Sequence, residues 1–148
     1  MKRIVVGVDG SGHADRAVWA AARLAGQTGA DLTLLAVQTL PQALESEAKA
    51  RASSGDAATR DLPGAYADAR PAYLLRARDK AAIAGARGIE TTAVVGDPAE
   101  EIVDAAKRGE ADMIVVGRRG RGQVASLLFG SVSLKTLQLA SCPVMIVP

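Results

Sequence analysis

The clearest chemical signal in the sequence is carried by Gly117, Gly120, Gly130 and Ser131. They read G-x-x-G, nine residues, then G-S, and they begin where the apolar run Met113-Ile114-Val115-Val116 ends. Glycines at the C-terminal end of a buried strand let a backbone approach another group closely. Gly130-Ser131 then offers a capped helix start, and the free N–H groups of a helix start favour an anion. On this reading Ser131 serves as helix cap and as anion ligand at once. The pattern is that of a phosphate cradle. A second set, Gly7, Gly10 and Gly12, follows another apolar run, and both sets spell G-x-x-G-x-G.

The surrounding elements can be read in order. Residues 4–8 are apolar and rich in β-branched side chains, which predicts a buried parallel strand. The spacing of Ala17, Ala21, Leu24 and Ala25 predicts a helix over residues 14–28, with Trp19 packing at the edge of its buried face. Residues 31–39 form a second strand. Residues 41–66 contain no Val, Ile, Phe or Trp, and are expected to be a mobile insertion with a short surface helix near 42–51. A helix opens at Pro71 and stops by Gly88, with Leu74, Ala77, Ala81 and Ala84 inward. A strand over 89–95 precedes Asp97-Pro98-Ala99-Glu100, which predicts a helix with Asp97 as N-cap and Pro98 as its first residue. A strand over 112–116, a helix over 131–141 and a strand over 143–147 complete the chain.

This alternation implies an α/β fold, a single domain over residues 1–148 built on a five-stranded parallel sheet with helices on both faces. In such sheets ligands bind beyond the C-terminal strand ends, where the strand order reverses. In the order 3-2-1-4-5 that crevice lies between strands one and four, and both glycine sets fall there.

Composition excludes several function classes. Lys plus Arg is 18 and Asp plus Glu is 16, a formal charge of +2, too balanced for non-specific nucleic-acid binding. No apolar run nears the roughly 20 residues of a membrane span. The N-terminus lacks a secretory leader's apolar stretch, and Cys142 is the only cysteine, so a cytoplasmic protein is expected. Zinc-ligand spacing is absent, so a metal would be Mg²⁺ carried by a nucleotide's phosphates. A Walker A string is also absent. Gly10-Ser11-Gly12-His13-Ala14-Asp15 only approaches a dinucleotide fingerprint, and Val37, Gln38 and Thr39 supply no ribose-binding acid at the end of strand two.

Five segments together resemble the universal stress protein family, in its small ATP-binding branch. They are Val8-Asp9-Gly10-Ser11, Gly96-Asp97-Pro98-Ala99-Glu100, Ala111-Asp112 leading through strand four to Gly117, the G-x-x-G-nine-G-S motif, and Ser141-Cys142-Pro143-Val144. The resemblance spans the chain outside residues 41–66 and implies a Rossmann-like fold. It implies that Asp9 holds the ribose hydroxyls, that the Val37 backbone meets the adenine edge, and that Gly117, Gly120, Gly130 and Ser131 contact phosphate. It also implies a homodimer through the last strand, 143–148.

Each residue also has a plainer role available. Asp9 suits an Asx turn, and Ser11 suits either phosphate or the first helix cap. The glycines suit tight turns, and Gly122 is read that way. His13, a lone loop histidine, reads as a solvated surface residue, and Cys142 as a small packing residue. Arg118, Arg119 and Arg121 add positive charge around the cradle.

No attacking group or catalytic base accompanies the cradle, so ATP binding with at most slow hydrolysis is expected, in a stress-response or signalling protein with an unidentified protein partner. The alternatives are a nucleotide hydrolase or adenylate-transferring enzyme of this fold, a cyclic AMP-binding variant, and an interaction module that has lost its nucleotide.

Overall fold

The computed structural model describes residues 1–41, 44, 70–122 and 128–148. Strands β1 (Arg3–Val8), β2 (Asp31–Gln38), β3 (Ile89–Val95), β4 (Met113–Gly117) and β5 (Val144–Val147) form one sheet in the order β3-β2-β1-β4-β5. All its neighbours run parallel, in registers such as Ile4↔Leu32, Ile4↔Met113 and Val116↔Ile146. Helices α1 (Gly12–Thr28), α2 (Ala72–Ile83), α3 (Pro98–Arg108) and α4 (Ser131–Leu139) connect or follow the strands. The architecture and the strand order are those the sequence predicts.

Alternation along the strands builds two cores, because successive side chains point to opposite faces. Ile4, Val6, Leu32, Leu34 and Val115 bury against α1 and α2. Val5, Leu35, Val37, Ile114 and Val116 bury against α3 and α4. Ala17, Ala21, Ala22 and Ala25 keep α1 slim, so it sits close to the sheet. Trp19 is 45% exposed and stands outside this buried core.

Local stops and starts follow cap chemistry. Ser11 caps α1, and Gly29 ends it in the left-handed region at φ 72°. Asp97 caps α3, with Pro98 in its first turn, as predicted. Pro71 is the N-cap of α2 rather than its first residue, and α2 ends at Ile83, before Gly85 turns the chain at φ 106°. Leu40 and Pro41 already have helical backbone. The remaining expectations for 41–66 lie outside the described residues apart from Leu44.

The chain moves outward from β1 to β2 and β3, then crosses back to β4 and β5. The β1 and β4 loops therefore diverge above the sheet and leave a crevice between them.

Candidate functional site

A cavity of about 240 Å³ occupies that crevice. Its apolar side is made by Leu35 and Val37 of β2, Val116 of β4, and Pro98 and Ile102 of α3. Gly7 lets α3 come this close to β1, since a Cβ there would lie 2.7 Å from Ile102 Cδ1. The opposite side is polar and mostly backbone, made by the loop after β4 and the first turn of α4. One end thus suits a flat apolar ring and the other an anion.

Of the residues singled out in the sequence, Asp9, Val37, Gly117, Gly120, Gly130 and Ser131 all line this cavity. Ser11 does not line it. Its hydroxyl oxygen accepts from the Ala14 N–H at 3.1 Å and caps α1. Asp9 divides its carboxylate between two roles. Oδ1 accepts from the Ser11 N–H at 2.9 Å, closing the Asx turn. Oδ2 turns toward Gly120, where an added Cβ would lie 2.8 Å from it.

The three cradle glycines are bare for different reasons. At Gly117 a Cβ would meet the first turn of α1, 2.7 Å from the His13 carbonyl carbon and 2.9 Å from the Ala14 nitrogen. At Gly130 it would press on the Arg119 Cα at 3.3 Å. Only at Gly120 is the nearest neighbour a side chain of the cavity itself. Gly122, read as a turn residue, also lines the cavity, and among the described residues a Cβ there would meet nothing within 4 Å.

The two halves of the motif are bonded to each other. The Gly130 N–H donates to the Arg118 carbonyl at 2.8 Å, and the Arg118 N–H to the Val147 carbonyl at 2.7 Å. The buried Ser133 hydroxyl reaches the carbonyls of Arg118 and Gly130 at 3.0 and 2.9 Å. The N-cap of α4 is Gly130, not Ser131, and it supplies no side-chain acceptor. A side chain at that position would crowd the Arg119 backbone. The first N–H groups of α4 therefore face the cavity without the cap that Ser11 and Asp97 give α1 and α3.

Positive charge gathers at the same end. The Nε atoms of Arg118 and Arg119 are buried without a hydrogen-bond partner among the described residues, and Arg119 lines the cavity. His13 stands beside them. Partial burial and the guanidinium groups of Arg16, Arg118 and Arg119 hold its imidazole below 6.5, against the smaller opposing pull of Asp9. Arg16 Nη2 donates to His13 Nδ1 at 2.9 Å, which puts the ring proton on Nε2. Its Nε donates to the Pro148 oxygen at 2.6 Å. His13 is thus a half-exposed residue in the first turn of α1, rather than on a loop, and part of a cationic cluster.

Sequence reading gave no site role to Ser133, Pro98, Ile102 or Tyr73. The second serine of G-S-x-S was a usable signal for Ser133. Pro98 and Ile102 were read only as helix residues. Tyr73, near the start of α2, stacks under Arg121 with the guanidinium carbon 4.8 Å from the ring centroid. Burial raises its phenol above 10, Arg121 opposes this, and its side chain hydrogen-bonds Gln38.

The family model for the universal stress protein family matches residues 1–148. The chain belongs to that family. It is 36% identical to universal stress protein Rv1636 of Mycobacterium tuberculosis, over 99% of this chain and 95% of that one. It is 32% identical to universal stress protein YxiE of Bacillus subtilis, over 98% of this chain and 97% of that one. Among solved structures, a universal stress protein in complex with cAMP matches at TM-score 0.71 and 29% identity, over 99% of this chain and 95% of that one. The Archaeoglobus fulgidus universal stress protein in complex with dAMP matches at TM-score 0.66 and 27% identity, over 100% and 98% of the two chains. Among the described residues of this universal stress protein, no helix is long and apolar enough to cross a membrane.

Proposed function

We propose that this universal stress protein binds ATP in the β1–β4 crevice and works as a nucleotide-dependent stress-response or signalling protein in the cytoplasm. The observation that carries the reading is one cavity that joins an apolar slot, a carboxylate with a free oxygen, and an uncapped helix start flanked by buried arginine nitrogens. Adenine fits against Val37, Pro98 and Ile102. The ribose hydroxyls donate to Asp9 Oδ2, and a carboxylate there would repel a phosphate. The phosphates lie on Gly120, Gly130, Ser131 and Arg119, where backbone N–H groups and the helix dipole favour anions. Gly117 shapes this end by admitting α1. Among the described residues no acidic or histidine cluster could hold a metal alone, so Mg²⁺ would arrive on the phosphates.

Hydrolysis is slow at most in this reading. Asp9 is the one carboxylate among the described lining residues, and it is committed to the sugar. Phosphoryl transfer needs a positioned nucleophile as well as charge stabilisation. Calorimetry with MgATP, together with mass spectrometry of any small molecule that co-purifies, tests the proposal. No binding at millimolar ATP and no bound adenine nucleotide would sink it. A second reading, a cyclic AMP or adenosine monophosphate site, is favoured by the cAMP and dAMP complexes of the related structures. Competition between ATP and cAMP separates the two.

We also propose a homodimer through β5. The strand is a sheet edge, and Leu134, Leu137 and Leu139 of the neighbouring helix are exposed beside it. Apolar edges of this kind pair or are covered. Light scattering at micromolar concentration should give twice 15.2 kDa.

A further inference from the structure

Arg121 is placed differently from its neighbours. Arg119 is partly buried at the inner wall with its Nε enclosed, whereas Arg121 is exposed at the rim. Its guanidinium extends from the β4 loop across the end of β1 to the Tyr73 ring on α2. It passes where a Gly10 Cβ would be, 2.7 Å from Arg121 Nη2 and 3.0 Å from Tyr73 Cγ. Gly10, at φ 80°, leaves that track open. Tyr73 is in turn fixed by Gln38 at the end of β2. Arg121 therefore lines the cavity from the loop that carries Gly120, and its cation rests on an aromatic face on the Asp9 side.

We infer that Arg121 is the residue that makes the site count phosphates, leaving the Tyr73 ring to bind an outer phosphate and leaving a single inner phosphate to the backbone cradle. This rests on the nucleotide reading above. A cation on the half-buried Tyr73 ring is held more weakly than by charge-assisted bonds to phosphate oxygens, so an outer phosphate wins the guanidinium. A monophosphate on Gly120, Gly130 and Ser131 sits deeper than the rim and leaves the stack in place. Tyr73 then acts as a positioning residue that competes with the ligand for Arg121, and its release reports polyphosphate binding to the first turn of α2.

Calorimetry with MgATP and with AMP on the full chain tests this. Arg121→Gln should weaken MgATP binding about tenfold and AMP less than about twofold, as expected when one charge-assisted contact is lost. Tyr73→Leu removes the competitor and should tighten MgATP binding about threefold, while Tyr73→Phe, which keeps the ring but loses the Gln38 bond, should lie between Tyr73→Leu and the parent. The Tyr73 ring protons should shift in NMR spectra on adding MgATP and stay put on adding AMP, a readout that needs no variant to fold. Equal losses for both nucleotides in Arg121→Gln, or a Tyr73→Leu protein weakened toward MgATP, would overturn the inference while leaving nucleotide binding intact. A parent protein that binds neither nucleotide would overturn both readings.

Discussion

A Cβ on Gly117 would lie 2.7 Å from the carbonyl carbon of His13, so the end of β4 and the first turn of α1 meet backbone to backbone. Neither side can yield as a flexible side chain would. Gly117→Ala should therefore act on the fold, costing about 1–3 kcal/mol by overpacking. For a chain of this size that lowers the melting midpoint by about 2–4 °C per kcal/mol. Gly120→Ala is the contrast. Among the described residues its Cβ would meet only Asp9 Oδ2, the far end of a side chain that can give way at the expense of its Ser11 N–H bond. Its stability should fall by less than that of Gly117→Ala, while nucleotide affinity falls sharply because the carboxylate is displaced. Melting curves and calorimetry on the two variants decide whether the motif's glycines divide in this way.

That division explains what was legible in the sequence. Strand order and both cores followed from short β-branched runs between amphipathic helices. The place of the crevice followed from topology. A glycine in a motif, however, reads the same whether its missing Cβ makes room for a ligand or for another backbone. Gly117 and Gly130 are bare for their neighbours in the chain, and only three-dimensional proximity shows it. The cap of α4 was misplaced by one residue for a related reason. Ser131 has the chemistry of a cap, but the crowded position before it is where the helix begins. Tyr73 was hidden because its partner, Arg121, is 48 positions away by residue number.

Ser133 should prove as important as the glycines it follows. Its hydroxyl is 2% exposed as a residue and reaches the carbonyls of Arg118 and Gly130. Ser133→Ala leaves buried acceptors with one partner fewer, a loss of about 1–3 kcal/mol. The 118–122 loop would also lose one of its ties to α4, so nucleotide affinity should fall with stability. Ser133→Thr restores the hydroxyl and should recover affinity if its extra methyl is accommodated. Chemical denaturation and calorimetry on both variants measure the pair of effects.

The link between α3 and α4 offers a test of cap against charge. Asp97 Oδ1 accepts from the Glu100 N–H at 3.1 Å and also meets Lys135 Nζ at 3.1 Å, while Lys135 reaches Glu100 at 2.8 Å. All three side chains are substantially exposed, which weakens the ion pairs. Asp97→Ala should cost about 1 kcal/mol, the usual value of a lost N-cap. Lys135→Met should leave the midpoint nearly unchanged, more so in salt. A Lys135→Met loss as large as that of Asp97→Ala would mean that the ion pairs, rather than the cap, hold this corner.

His13 gives the protein a pH dependence that can be read without interference, since it is the only histidine. Burial first, then Arg16, Arg118 and Arg119, hold its folded value below 6.5, and Asp9 opposes them more weakly. In the unfolded chain the imidazole returns to about 6.5. Between the folded value and about 6.5 the unfolded state therefore binds more protons, so stability rises with pH there. The contribution is complete above about 6.5 and is lost as the pH falls through the folded value. Asp97 and Asp112 are held below 3.8, chiefly by backbone N–H donors, so their own losses begin at more acidic pH. The single imidazole signal should titrate with a midpoint under 6.5 by NMR. His13→Gln should flatten the stability profile just below about pH 6.5 while leaving the acid limb unchanged. A normal midpoint, or an unaltered profile in the variant, would show that the arginine cluster does not act on this ring.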